Sequence, residues 1–254
     1  MIFNNTDKQW EQWGKKDPYR GVLTEDKFDI KKLNSETLDD FFDSGSQHIE
    51  KVISYIHQHL DRDFVPKKAV DFGCGVGRLI VPLSKLCEEV VGIDVSDSML
   101  YRASKELQKR KIENCQLIKS DDKLSLLKGK YDLIHSHIVF QHIPTKRGEQ
   151  ILANLIDRLE DGGIGVIEVP YHSRLSFLSR IYRQIAINVP YLYLFKRILK
   201  GEDISAPPPV QMNCYDLNRI FVILQNKGIN NIHSSLLLDN NDDNICGTIL
   251  YFKK

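Results

Sequence analysis

From residue 69 onward, short apolar runs alternate with longer stretches whose apolar positions recur every three to four residues. The run at 69–72 reads as a strand, and a helical stretch follows near 77–87. A second strand at 89–93 precedes a helix over about 98–111, and strands at 116–119 and 131–136 come next. Pro144 suits the first turn of a helix running to Glu160, where a missing N–H has no intrahelical partner to lose. Asp161-Gly162-Gly163 reads as the end of that helix, and 165–169 as a fifth strand. Strands alternating with helices predict βαβ units, a parallel sheet and a ligand over the strands' carboxyl ends. The rhythm breaks at Tyr171 and resumes with a helix near 215–227. The apolar runs 229–238 and 245–252 flank a polar stretch at 239–244, the pattern of an antiparallel hairpin.

Upstream, Ser44-Gly45-Ser46-Gln47 reads as a capping box that opens a helix. The stripe of that helix is Ile49, Val52, Ile53, Ile56 and Leu60; His48, His57 and His59 flank it as surface or helix-end residues. Residues 61–68, with Pro66, form a linker into the main domain. Residues 1–34 show no clean periodicity, yet Trp10, Trp13 and Tyr19 crowd together among charges. Aromatics so spaced pack on something, so this arm either folds over the site or staples the domain.

Composition narrows the picture. A chain of 254 residues accommodates one large α/β domain, or one domain with a cap. Hydrophobic content of 42%, charged content of 27% and a net charge of +1 fit an ordinary soluble protein without a nucleic-acid partner. The five cysteines are scattered with no C-x-x-C pair, which argues against a zinc site or disulfide framework. No apolar run approaches the roughly 20 residues of a membrane span, and the first residues lack a signal-peptide core. The expectation is a cytoplasmic protein that spans no membrane.

The chemistry starts at Val70-Asp71-Phe72-Gly73-Cys74-Gly75-Val76-Gly77-Arg78. A strand, a glycine turn and a helix start let a ligand approach the main chain without a Cβ in the way. Such a loop takes a polar or negatively charged small molecule. The dinucleotide fingerprint G-x-G-x-x-G requires glycine where Arg78 stands, and the third glycine comes one residue early, at Gly77. Asp71, two positions before the first glycine, completes a pattern that resembles motif I of the class I S-adenosylmethionine-dependent methyltransferases. The resemblance implies that Asp71 serves the amino-acid end of the cofactor, with Gly73, Cys74, Gly75 and Gly77 in the loop around it.

Asp94 ends the second strand, where a carboxylate can accept hydrogen bonds from both ribose hydroxyls of an adenosine. Ser96 and Asp97 already supply a helix start there, which weakens that alternative role for Asp94. The run Val90 to Ser96, with Val95 beside Asp94, closely resembles the family's next motif. Nicotinamide-binding folds also place an acid here, so Asp94 points to adenosine more than to methyl transfer. By the same resemblance Asp121 would bind the adenine amine and the Asp122 main chain the ring, or the pair swaps by one position; a solvated turn is the alternative.

The segment from Tyr131 to Pro144 resembles motif IV of the small-molecule branch, including sugar and natural-product O-methyltransferases. It lacks the Asn/Asp-Pro-Pro-Tyr pattern common among enzymes that methylate protein or DNA amines. The resemblance implies His137, Phe140 and Gln141 along the cofactor's methionine end, with His142 facing the acceptor as general base. A hydroxyl must lose its proton as it attacks, and imidazole titrates near neutrality. His137 is the second candidate base, and His142 capping or underpacking the next helix is the alternative.

The insert at 171–212 is basic and aromatic, carrying Arg174, Arg180, Arg183, Lys196, Arg197 and Lys200 against Glu202 and Asp203. It could clamp a phosphorylated or nucleotide-linked acceptor, lie on a membrane surface through 173–200, or be a packed helical cap with solvated arginines. Pro207-Pro208-Pro209 makes a stiff return to the core. Trp10, Trp13, Tyr19, Tyr171, His172 and Arg174 are candidate acceptor contacts, with His172 a further candidate base.

The expected fold is α/β: a Rossmann-like seven-stranded sheet with the last strand antiparallel, an N-terminal helical arm and a helical cap after strand five. The expected organisation is an arm and helix at 1–64, a cofactor-binding core at 65–170 and 213–254, and a substrate cap at 171–212. The expected activity is S-adenosylmethionine-dependent methylation of a small-molecule hydroxyl, on a sugar, a nucleotide-linked sugar or a related metabolite, leaving S-adenosylhomocysteine. N-methylation of an amino sugar or small amine is the alternative. From other classes, a nicotinamide-dependent oxidoreductase conflicts with Arg78 and the hairpin, and a non-catalytic adenosine-binding module stays open. No second acidic cluster accompanies 131–144, so no metal is expected.

Overall fold

The structure is a computed structural model, and it describes residues 6–199, 210–237 and 245–254. The triple proline, Lys200, Glu202, Asp203 and the hairpin turn at 239–244 lie outside the described residues. In chain order the helices are α1 (Thr6–Lys16), α2 (Pro18–Val22), α3 (Ser35–His59), α4 (Ile80–Leu86), α5 (Asp97–Lys109), α6 (Thr145–Asp157), α7 (Phe177–Asn188), α8 (Pro190–Leu199) and α9 (Leu217–Asn226). The strands are β1 (Lys68–Phe72), β2 (Glu89–Asp94), β3 (Cys115–Lys119), β4 (Tyr131–Ser136), β5 (Leu159–Ser173), β6 (Asn231–Leu236) and β7 (Ile245–Lys253).

The strands form one sheet in the order β3-β2-β1-β4-β5-β7-β6. Strands β1 to β5 pair in parallel, and β7 runs antiparallel to both β5 and β6. This is the expected seven-stranded sheet with its last strand antiparallel. The chain order reverses between β1 and β4, and a ligand crevice belongs at such a switch point, beyond the strands' carboxyl ends. Two buried cores sandwich the sheet. One joins α3 and α4 to one face through Phe41, Ile49, Ile56, Ile80 and Leu83. The other joins α6 and α9 to the opposite face through Ile151, Leu155, Ile220 and Leu224.

Several elements differ from their predicted bounds. α3 opens at Asn34, whose side chain accepts the Thr37 N–H at 2.9 Å while the Thr37 hydroxyl accepts the Asn34 N–H at 2.9 Å. Ser44-Gly45-Ser46-Gln47 is therefore mid-helix and not a cap. Gly45 is there for close approach, because a Cβ would collide with the Arg78 carbonyl. α6 ends at Asp157, and Asp161-Gly162-Gly163 lies inside β5, at the register shift between the Tyr131 and Leu133 pairings. Gly162 adopts φ +84 there, the strain-free use of glycine at a bulge. α4 starts at Ile80 and not near Gly77, because the glycine turn continues through Leu79. α5 starts where expected, with Ser96 accepting the Met99 N–H at 3.1 Å.

Candidate active site

The glycine turn is fastened to β2. The N–H groups of Gly73 and Cys74 both donate to the Ile93 carbonyl, at 2.7 and 3.0 Å. Gly73 adopts φ +79, and a Cβ there would collide with Val139 across the crevice. Asp94 receives the next main-chain donors: Gly75 N–H on Oδ2 and Ser96 N–H on Oδ1, both at 2.9 Å. Burial raises the Asp94 carboxyl to about 6. Each oxygen keeps a lone pair for a further donor. Gly73, Gly75, Asp94 and Val95 line a cleft beyond the carboxyl ends of β1 and β2.

A buried polar cluster lies beside that cleft. Asp71 ends 2% exposed, its Oδ1 3.3 Å from His135 Nδ1, and its Oδ2 has no partner among the described residues. His135 Nε2 lies 3.0 Å from His48 Nε2, and the His48 ring stacks on His137 with centroids 3.9 Å apart. His137 Nδ1 contacts Glu168 Oε2, and the Ile138 N–H donates to the same carboxyl group. Burial pushes Glu168 up to about 7 and holds His48 and His137 well below the usual imidazole range. Arg78, 5% exposed and lowered to about 10 by burial, supplies the positive charge of the group and lines the cleft.

Ile138 has φ +61, a conformation a β-branched residue adopts only under constraint. The constraint is visible in its neighbours. Glu168 holds the Ile138 N–H, the Glu168 carboxyl touches His137, and Val139 fills the space above Gly73. This strained turn places His137, Ile138 and Val139 on the cleft wall.

The arm covers the cleft. Thr6, Asp7, Trp10, Gly21 and Val22 line it, and a Cβ on Gly75 would come within 2.8 Å of Val22. Glu11 fixes α1 to the start of α5, with Ser96 Oγ donating at 2.8 Å and Ser98 Oγ at 2.7 Å. Arg147 clasps the arm from α6: its Nη1 and Nη2 meet the Asp7 carboxylate at 2.7 and 3.0 Å, and its Nε meets Asp122 at 2.6 Å. Asp122 is thus drawn into an ion pair, and Asp121 caps a turn through the Ser125 N–H. Ser120, and neither aspartate, lines the cleft.

His142 stands in the 3₁₀ turn Phe140–His142 with its ring edge-on to Trp10, centroids 4.9 Å apart. Its Nε2 lies 3.0 Å from the Gln141 amide nitrogen, which can only donate, so Nε2 accepts. Nδ1 then carries the proton and donates to the Gln211 carbonyl at 3.1 Å. Tyr215 pins the turn from beneath, its hydroxyl donating to the Phe140 and Ile143 carbonyls. A second cleft, with about 670 Å³ of empty space, shares Trp10, Gly21, Val22, Ile138 and His142 with the first.

Of the residues singled out in the sequence, the structure gathers Gly73, Gly75, Asp94, Val95, His137, His142 and Trp10 on the first cleft, and Trp13 and Gln141 on the second. Asp71 and Cys74 are buried behind the loop, and Gly77 faces Ala103. Tyr19 is a core residue whose hydroxyl donates to Glu106 at 2.8 Å, because its ring packs on Phe41. Tyr171, His172 and Arg174 sit at the far end of β5 and line neither cleft. His48 is not a surface residue, being stacked into the buried cluster. Arg78, His135, Ile138, Glu168 and Arg147 were not singled out as site residues. His48 stands four and eight positions before Val52 and Ile56, so the helical stripe itself signalled its burial.

Residues 69–163 match a methyltransferase domain family. Two archaeal proteins described as probable cobalt-precorrin-6B C(15)-methyltransferases (decarboxylating) are similar in sequence. The one from Methanocaldococcus jannaschii is 29% identical over 166 residues, covering 63% of this chain and 84% of that protein. The one from Methanococcus maripaludis is 30% identical over 147 residues, covering 56% and 76%. Among solved structures, the magnesium protoporphyrin IX methyltransferase from Synechocystis PCC 6803 with bound S-adenosylhomocysteine superposes with a TM-score of 0.62 at 18% identity, over 98% of each chain.

Proposed function

Since this chain belongs to the class I S-adenosylmethionine-dependent methyltransferases, we propose that its acceptor is an oxygen nucleophile on a small molecule with a largely apolar body. The cofactor is S-adenosylmethionine. The residues present suit it. Gly73 and Gly75 keep the loop free of side chains, Asp94 has lone pairs for ribose hydroxyls, and Asp71 Oδ2 is a buried acceptor without a partner among the described residues. When bound, the cofactor supplies an electrophilic methyl group on a sulfonium.

The observation that carries the acceptor reading is the second cleft. Trp10, Trp13, Val22, Leu23, Val210 and Met212 give it an apolar wall. Its one cationic residue among those described, Arg20, is paired with Asp26 at 2.8 Å and Asp29 at 3.5 Å. A diphosphate requires a cluster of free donors, so this wall favours an apolar or aromatic acceptor over a sugar nucleotide. The magnesium protoporphyrin named for one similar protein, an O-methyltransferase, fits that description as a broad apolar ring that carries carboxylates, whereas the cobalt-precorrin proteins are named for methylation at carbon.

In this reading His142 Nε2 takes the acceptor's proton. The Gln211 carbonyl keeps the other proton on Nδ1, and the Gln141 amide is exchanged for the acceptor's O–H. Trp10 and Ile138 exclude water from the junction of the two clefts. In this reading Gly73, Gly75 and Asp94 of the core face the cofactor, and Trp13 and Leu23 of the arm with Val210 and Met212 face the acceptor.

The test is a thermal-shift screen in saturating S-adenosylhomocysteine, comparing planar apolar acids and phenols with sugar nucleotides and amino sugars. Apolar oxygen acceptors are expected to raise Tm further and to gain a methyl group from S-adenosylmethionine. With such an acceptor, His142→Ala should lower kcat by about 10²- to 10⁴-fold and leave S-adenosylhomocysteine affinity within about threefold. Stabilisation by sugar nucleotides alone, or unchanged kcat in His142→Ala, would overturn the reading.

A further inference from the structure

The α7–α8 hairpin turns its apolar stripes outward. On α7 and just past it, Leu178, Ile181, Tyr182, Ile185 and Val189 follow the i, i+3, i+4, i+7, i+11 spacing of one helical face, and all are exposed. On α8, Tyr191, Phe195, Ile198 and Leu199 follow the i, i+4, i+7, i+8 spacing and are exposed as well. Exposure along the two stripes runs from 39% at Val189 to 83% at Tyr191. Ala186 and Ile187 are the buried anchors of α7, at 3% and 5%. The outward stripes therefore add nothing to the described core. Helices that pack on a core do the reverse, and exposed apolar stripes of this kind mark an interaction face.

Charge says what covers it. Residues 174–199 contain five cations, Arg174, Arg180, Arg183, Lys196 and Arg197, and no acidic residue. The remaining 30 Lys and Arg are outnumbered by 34 Asp and Glu, so the basic character of the chain is concentrated in this hairpin. Two copies meeting through the hairpin would bring like charges together. A bilayer surface with anionic headgroups offers apolar depth to the stripes and negative potential to the cations, within a Debye length of about 10 Å.

We propose that the α7–α8 hairpin docks the protein on the surface of an anionic lipid bilayer, with its apolar stripes in the headgroup region and no span across it. Among the described residues no helix is long and apolar enough to cross a membrane, which suits a face that lies on the surface. The proposal is independent of the acceptor reading, since it rests on the hairpin and not on the clefts.

The experiment is co-sedimentation of the full chain with phosphatidylcholine vesicles and with vesicles containing about 30% phosphatidylglycerol, at about 0.05 M and about 0.5 M salt. At low salt the anionic vesicles should bind at least about tenfold more protein than the neutral ones, and high salt should reduce that binding. Ile181→Glu with Phe195→Glu should lower binding at least about tenfold while the Tm increase given by S-adenosylhomocysteine is retained. If that pair does not fold, the milder pair Leu178→Ser with Tyr191→Ser should lower binding in the same direction. Wild-type protein that pellets no better with anionic vesicles than without vesicles overturns the proposal. So does a folded Glu pair that binds like wild type, or a wild-type dimer in light scattering that the substitutions dissolve.

Discussion

At the carboxyl ends of β1 and β2 the cleft wall is shaped by main chain: bare Gly73 and Gly75, and one carboxylate that two N–H groups hold in place. Across β4 and the arm the wall is side chain, drawn from α1, α2, the strained turn at Ile138 and the segment at Val210 and Met212. A main-chain wall tolerates little substitution, because its shape is set by φ angles and the absence of Cβ atoms. A side-chain wall can be rebuilt without touching the sheet. One fold can thus keep its cofactor and change its acceptor.

Substitutions can sharpen that contrast. On the main-chain side, Asp94→Ala removes the acceptor of two loop N–H groups together with the proposed ribose contact. It should weaken S-adenosylhomocysteine binding by about tenfold or more, read by calorimetry. Comparable affinity in Asp94→Ala would detach Asp94 from the cofactor.

Behind the two walls, Glu168 is expected to act on pH dependence. Its carboxyl is raised to about 7 by burial, so the folded state favours the protonated form. Its stabilising contribution is full below the ordinary glutamate range and is lost as pH rises through about 7. The groups facing it are His137, His135, His142 and Arg78, from β4, the turns that follow it and the glycine loop. Wild type should therefore lose about 2 kcal/mol from this group between pH 5.5 and 8, a shift of a few degrees in Tm. In Glu168→Gln that slope should flatten. An equal slope in both proteins would show that Glu168 does not carry the proton.

The contrast between the walls also explains what was legible in the chain. The alternation of strands and helices, the glycine loop, Asp94 and the closing hairpin are readable because each is local: a periodicity, a turn or an acid at a strand end. The buried cluster was not, because His48 meets His135 and His137 only once α3 lies on β4. Glu168 sits within an apolar strand with no local signal of its partners, and Arg78 stands out in the sequence only as the place where a dinucleotide fingerprint requires glycine. The strain at Ile138 exists only in three dimensions. The start of α3 was misplaced because Ser44-Gly45-Ser46-Gln47 imitates a cap, and only contact with the Arg78 carbonyl explains its glycine.

The most direct test of the two-wall account is calorimetric titration of S-adenosylhomocysteine into wild type, Gly73→Val and His142→Ala. Gly73→Val puts side-chain atoms where Val139 already stands and imposes φ +79 on a β-branched residue. The account predicts affinity lowered by about 100-fold or more in Gly73→Val and unchanged within about threefold in His142→Ala. Wild-type affinity in Gly73→Val, or an equal loss in both variants, would contradict it.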